Sequence, residues 1–173
     1  RDYQRIYDHH APLVRFLVNL NIPLPRKLSA AAEFALTSYM LEALEEEELD
    51  YDRIGHLLQE AALEGLLLDA TLLEIAYRRR LERMAEPMAR DGGEVEEMAR
   101  LNQVLNLLDK MPFEVNVADV QNIYWRTLQE VFPRRREMAR QGDKQSARWV
   151  EQFTRLGGKL WFKMQPLPEA VKP

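Results

Sequence analysis

The apolar residues of this chain recur at three- and four-residue intervals, and the recurrence breaks only at proline, glycine and acidic clusters. That spacing lays one stripe along a helix, whereas a half-buried strand needs strict alternation. Glycine is scarce, seven in 173 residues, and β-branched residues rarely alternate over more than a few positions. Leu, Ala, Glu and Arg dominate, and all are good helix formers. The expected fold is all-α, a compact multi-helix bundle or array of about seven helices with a short irregular C-terminal tail.

Taken in order, Ile6, Leu13, Leu17 and Leu20 mark an amphipathic first segment from Asp2 to Asn19, which Pro12 restarts or kinks. After a connector at residues 21–24, Pro25 suits a first helical position. The next helix is expected to run to Leu44, with Leu28, Ala31, Ala32, Ala35, Tyr39 and Ala43 on one face. Its small residues permit close approach by another helix. Glu45 to Glu48 oppose the macrodipole at its end and help stop it. Asp50 or Asp52 can cap the following helix, marked by Ile54, Leu57, Leu58, Ala61 and Ala62, and Gly65 can terminate it. Asp69 caps a stripe of Leu73, Ala76, Tyr77, Leu81 and Met84, which Pro87 and Asp91-Gly92-Gly93 bring to an end. Val95, Met98, Leu101, Leu105 and Leu108 lead to Pro112, which disfavours helical geometry at Met111.

Beyond Pro112 the polar content of the pattern rises. Asn116 can accept from the amide of residue 118 or 119, and Val117, Val120, Ile123, Tyr124, Thr127, Leu128 and Val131 then repeat at helical spacing. Gln121 and Asn122 lie close enough to that stripe for at least one to be partly buried. A buried amide without partners costs about 1–3 kcal/mol, so either the fold or a ligand must satisfy it. The preferred reading is a satisfied structural network; together with Trp125, whose ring could stack on a sugar but more often packs in a core or at its edge, they are the candidate ligand-binding residues on the alternative. On the structural reading Asn122→Ala should cost about 1–3 kcal/mol of stability. Pro133 marks the next boundary, and a further helical segment through Trp149, Val150, Phe153 and Leu156 is interrupted near Gly142 and closed by Gly157-Gly158. Lys159 to Met164 could be a short extended piece before a loosely held tail. Residues 1–133 are thus expected to form a helical core domain, with a C-terminal helix and tail, 134–173, packing on it.

The net charge is −4 with both signs interspersed, which argues against a nucleic-acid surface. Charge interrupts every apolar run well short of the ~20 residues of a membrane span, so no membrane partner is expected. Absence of cysteine excludes disulfides and thiolate chemistry and fits a reducing, cytoplasmic setting, with a cysteine-free exported protein as the alternative. The chain opens at Arg1 rather than Met, as expected of a fragment of something longer. His9 and His10 are adjacent and point to different sides of a helix; with His56 they match no zinc spacing. No metal site is expected, and no nucleophile elbow or phosphate-binding loop occurs. Arg78-Arg79-Arg80 and Arg134-Arg135-Arg136 read as solvated surface, since three consecutive residues spread around a helix.

Several short pieces stand in a familiar order: Tyr3-Gln4-Arg5-Ile6-Tyr7, Ile22-Pro23-Leu24-Pro25, Ala31-Ala32-Glu33-Phe34, Leu67-Leu68-Asp69, Met111 to Asn116 and Gln121-Asn122-Ile123-Tyr124. On these the chain resembles the uncharacterised helical C-terminal domain of bacterial proteins with a glycoside hydrolase family 57-like, α-amylase/α-mannosidase-like N-terminal domain. In that family a glutamate nucleophile and an aspartate acid/base are carried on a distorted barrel domain, and neither motif matches any position here. The resemblance therefore implies no catalytic residue and no cofactor in this chain. It implies a non-catalytic accessory domain whose partner is the catalytic-type domain of the same polypeptide, with carbohydrate reached only through that domain. An all-α interaction or oligomerisation module is the alternative, and a free-standing helical enzyme has only scattered carboxylates behind it.

Overall fold

Helix boundaries follow the local chemistry. In the computed structural model, which describes residues 2–161, Asp50 Oδ1 accepts from the Arg53 amide at 2.9 Å and opens one helix, while Gly65 closes it in the left-handed region at φ 64°. Asp69 Oδ1 accepts from the Leu72 amide at 3.0 Å and opens the next. Over the described residues the chain is all-α, with eight α-helices and no strand. They are α1 (Asp2–Asn19), α2 (Arg26–Glu45), α3 (Tyr51–Glu64), α4 (Ala70–Asp91), α5 (Val95–Leu105), α6 (Ala118–Glu130), α7 (Phe132–Arg140) and α8 (Lys144–Lys159), with a 3-10 turn at Leu108–Lys110. Helix α5 ends at Leu105, a turn earlier than the Pro112 argument requires, and the 3-10 turn fills the interval.

Backbone packing divides the chain into two units, one of Arg1–Tyr77 with Met111–Glu114, the other of Arg78–Lys110 with Val115–Pro173. The division falls inside α4. Trp149, Val150, Phe153 and Leu156 of α8 are all buried, so the apolar stripe of that helix is core of the second unit.

In the first unit α1, α2 and α3 pack on one another. Ala31, Ala32 and Ala35 of α2 are buried, the close-approach face expected of small residues. Glu45 to Glu48 are exposed where α2 ends. The packed face of α1 differs from the expected one. Tyr7 and Val14 are buried, whereas Ile6, Leu13 and Leu20 are exposed. Helix α1 carries apolar residues on two faces, and the row that includes the tyrosine hydroxyl is the one turned inward. The helix runs through Pro12 without ending.

In the second unit α5 and α7 pack on α8, and α6 on α7. Val117, Val120, Tyr124 and Thr127 of α6 are buried as spaced. Asn116 Oδ1 accepts from the Ala118 amide at 3.0 Å, but it stands one residue ahead of the N-cap position, which Val117 holds without a side-chain bond. Tyr124 stacks on Phe153 at 4.3 Å between centroids, and Trp149 on Phe153 at 4.8 Å. Trp149 Nε1 donates to the carbonyls of Gly92 and Gly93 at 3.2 and 3.1 Å, tying α8 to the turn after α4. Helix α8 does not close at Gly157-Gly158 but continues to Lys159. Burial of Leu156 and Leu160 on either side of the glycines holds the last turn in register. Lys159 is therefore helical and Leu160 and Trp161 form a turn; the rest of the expected extended piece and the tail lie outside the described residues.

Candidate functional site

The polar arrangement least explained by helix packing lies between α1 and α3. Glu64 falls on the apolar stripe of α3, in register with Ile54, Leu57 and Ala61, and its side chain is only 4% exposed. Opposite it, Tyr7 of α1 is buried. Its hydroxyl, 2.9 Å from Glu60 Oε1 and 3.2 Å from Glu64 Oε2, has one proton to give to the two carboxylates. Arg15, two turns further along α1, donates from Nη2 to Glu60 Oε1 at 2.7 Å. Its Nε lies 3.9 Å from Glu64 Oε1, an ion-pair distance too long for a hydrogen bond. Glu64 Oε1 accepts no hydrogen bond.

The electrostatics follow from this geometry. Burial, with Glu60 beside it, raises the Glu64 carboxyl above its ordinary value, against the opposing pull of the Tyr7 hydrogen bond and Arg15. Burial, the hydrogen bond to Glu60 and the charge of Glu64 push the Tyr7 phenol far up, so it remains a donor. A cavity of about 560 Å³ adjoins the cluster, with His56 and Gln59 on its α3 wall, Val18 and Asn19 on its α1 wall, and Leu63 beside them. In sequence the pieces are 53 and 57 residues apart and carry no motif. The one local signal is a glutamate standing on an apolar stripe.

A second cleft in the same unit, about 450 Å³, is lined by Phe34, Thr37 and Leu41 of α2 with Leu67 and Leu72. Glu33 Oε1 accepts from the Leu67 amide and Thr37 Oγ1 from the Asp69 amide, both at 3.1 Å. Tyr3 lies against Phe34, centroids 5.0 Å apart. Tyr3, Glu33-Phe34 and Leu67 to Asp69 thus meet at one place.

Gln121, Asn122 and Trp125 all sit on α6 in the second unit, but they differ in setting. Gln121 is half-buried and donates from Nε2 to the Leu160 carbonyl at 3.1 Å, at the end of α8. Asn122 is exposed, which removes the basis for expecting a stability loss from Asn122→Ala. The buried-amide role falls to Gln121 alone, because only one of two adjacent helical residues can face the core. Trp125 is 53% exposed. It stands on the same side of α6 as Asn122, one turn on.

Two other expectations change. Arg80 is buried rather than solvated, since a run of three on one helix must turn one member inward. Arg135 lies 5.7 Å over the Trp149 ring, a cation–π contact that the reading as solvated, salt-bridged surface did not include. Among the described residues no group of three His, Asp or Glu side chains converges as metal ligands, and no helix is long and apolar enough to cross a membrane. Comparison with family models, curated proteins and solved structures finds none that matches this chain.

Proposed function

We propose that the chain is a non-catalytic helical accessory domain that packs on a glycoside hydrolase family 57-like catalytic domain of the same polypeptide and supports that domain or its substrate cleft. The observation that carries this reading is where the exposed apolar surface lies. Of the twelve large apolar side chains exposed among the described residues, ten belong to the first unit and only Trp125 and Trp161 to the second. Contiguous exposed apolar surface marks interaction sites, whereas single exposed residues need no explanation. Phe34, Leu67 and Leu72 are contiguous, since they line one cleft, and Tyr3 extends the patch along α1.

The carboxylate pair supports an accessory role over a hydrolytic one. A glycosidase places its two carboxyl groups on either side of the bond to be cleaved. Here the Tyr7 hydroxyl occupies the space between Glu60 and Glu64, and Arg15 ties down Glu60. No room is left between them for a sugar.

The test is the coding sequence upstream of Arg1. A family 57-like barrel domain in the same reading frame is the expected result; an upstream frame with no such domain contradicts the proposal. A dimer of the isolated chain in light scattering, dissociated by Phe34→Asp with Leu67→Asp, would assign the same face to self-association instead.

A further inference from the structure

The two units differ in charge as well as in exposed apolar surface. The first carries fifteen Asp and Glu against six Lys and Arg, the second thirteen against eighteen. The acidic unit is the one that holds the cleft of about 450 Å³ beside α2. Phe34, Leu41, Leu67 and Leu72 give this cleft its apolar wall, and Phe34 is 52% and Leu67 79% exposed. Glu33 and Asp69 stand in the same lining, which includes no Lys or Arg among the described residues. Each carboxylate engages a backbone amide through one oxygen, Glu33 that of Leu67 and Asp69 that of Leu72. Among the described residues neither has a Lys or Arg within ion-pair distance. Two negative charges therefore stand beside an open apolar wall with no cation to balance them.

We propose that this cleft takes an apolar side chain, Leu, Phe or Met, from a basic protein segment in which a neighbouring Lys or Arg is set against Glu33 or Asp69. On the docking proposed above, that segment belongs to the family 57-like domain; the inference rests on that reading for the owner of the segment and adds the chemistry by which it is chosen. The methylene stem of a Lys or Arg can lie along Phe34 and Leu67 while its head reaches a carboxylate. Partly exposed ion pairs add little affinity, so the apolar contact holds the segment and the carboxylates select it. Glu33 is half-buried and Asp69 exposed, so salt screens the Glu33 pair less. The same face of a second copy would set acidic unit against acidic unit, and a nucleic acid or an anionic lipid surface would meet the same repulsion.

Titration of the full chain with N-acetyl-Lys-Leu-Phe-Lys-amide, followed by the amide chemical shifts of residues 30–41 and 66–72, tests the proposal. N-acetyl-Glu-Leu-Phe-Glu-amide reverses the charge, and N-acetyl-Lys-Ala-Ala-Lys-amide keeps the charge but removes the apolar side chains. Saturable shifts centred on the cleft are expected from the first peptide alone, weakening as salt rises. The Glu33→Gln, Asp69→Asn variant keeps an acceptor oxygen for both backbone amides and removes both charges. It should bind the first peptide about threefold to tenfold more weakly. Phe34→Ala removes exposed wall and leaves both carboxylates, so it should abolish the shifts even where the double variant does not fold. An equal response to either control peptide, absence of shifts at the cleft, or affinity unchanged in both variants overturns the proposal.

The same double variant separates this inference from the accessory role. A family 57-like domain that binds the native chain and the charge-removed variant equally, at low and high salt, overturns the inference and leaves the accessory role standing. Recognition of the Lys-flanked peptide by a chain that does not bind that domain removes the accessory role and supports the preference of the cleft.

Discussion

Glu64 is the residue whose environment most constrains its charge. Its carboxyl is raised by burial and by Glu60, so the folded state holds a proton over a pH range in which the unfolded chain has released it. In that window the native state binds more protons than the unfolded state, and stability therefore falls with rising pH. The contribution is complete below the ordinary glutamate value and lost as pH passes the raised folded value. Denaturant melts across this range should show the slope in the native chain and a shallower one in Glu64→Gln. On α6, Gln121→Ala should cost about 0.5–1.5 kcal/mol through the lost bond to the Leu160 carbonyl, while Asn122→Ala should stay within about 0.5 kcal/mol. The same melts check both. At Gly92, φ is +92° and an added Cβ would stand 2.8 Å from Val131 Cγ1. Gly92→Ala combines backbone strain with a clash, and about 1–3 kcal/mol of destabilisation is expected in thermal unfolding.

At the scale of elements, what could be read in advance was what is local. The α6 stripe, the Asp50 and Asp69 caps and the Gly65 terminator all depend on residues within one or two turns, and each lies where its chemistry places it. Helix α1 shows the limit of periodicity. It has two apolar faces, and spacing alone does not say which one packs. Residues chosen by spacing, Ile6, Leu13 and Leu20, are exposed, while Tyr7 and Val14 form the core row. Glycine likewise weakens a helix without always ending it. Gly157-Gly158 lies within α8 because the flanking Leu156 and Leu160 are buried. An added Cβ at Gly158 meets nothing within 4 Å, so Gly158→Ala should raise stability by about 0.4–1 kcal/mol. A loss of stability in that variant would mean that the last turn of α8 is not helical. The Tyr7–Glu60–Glu64 cluster was illegible for a different reason: it joins residues more than fifty positions apart, and only the misplaced polarity of Glu64 signals it.

Across the whole molecule the two units differ in how they finish their surfaces. The second buries Tyr124, Phe153 and Trp149 in a stacked row and leaves only Trp125 and Trp161 as large exposed apolar side chains among the described residues. The first leaves Tyr3, Phe34, Leu67 and Leu72 exposed around one cleft, and a docked domain would remove that surface from water. Burying apolar area contributes about 25 cal/mol per Å² before the costs of association, so a few such side chains can decide whether a complex forms. The proposed accessory role stands on this cleft having a partner. The direct measurement is calorimetric titration of this chain into the proposed family 57-like catalytic domain, expressed separately, beside the Phe34→Asp, Leu67→Asp double variant. The account predicts saturable binding by the native chain and its loss in a variant that remains helical and melts cooperatively. Absence of binding by the native chain, or equal binding by both, would contradict it.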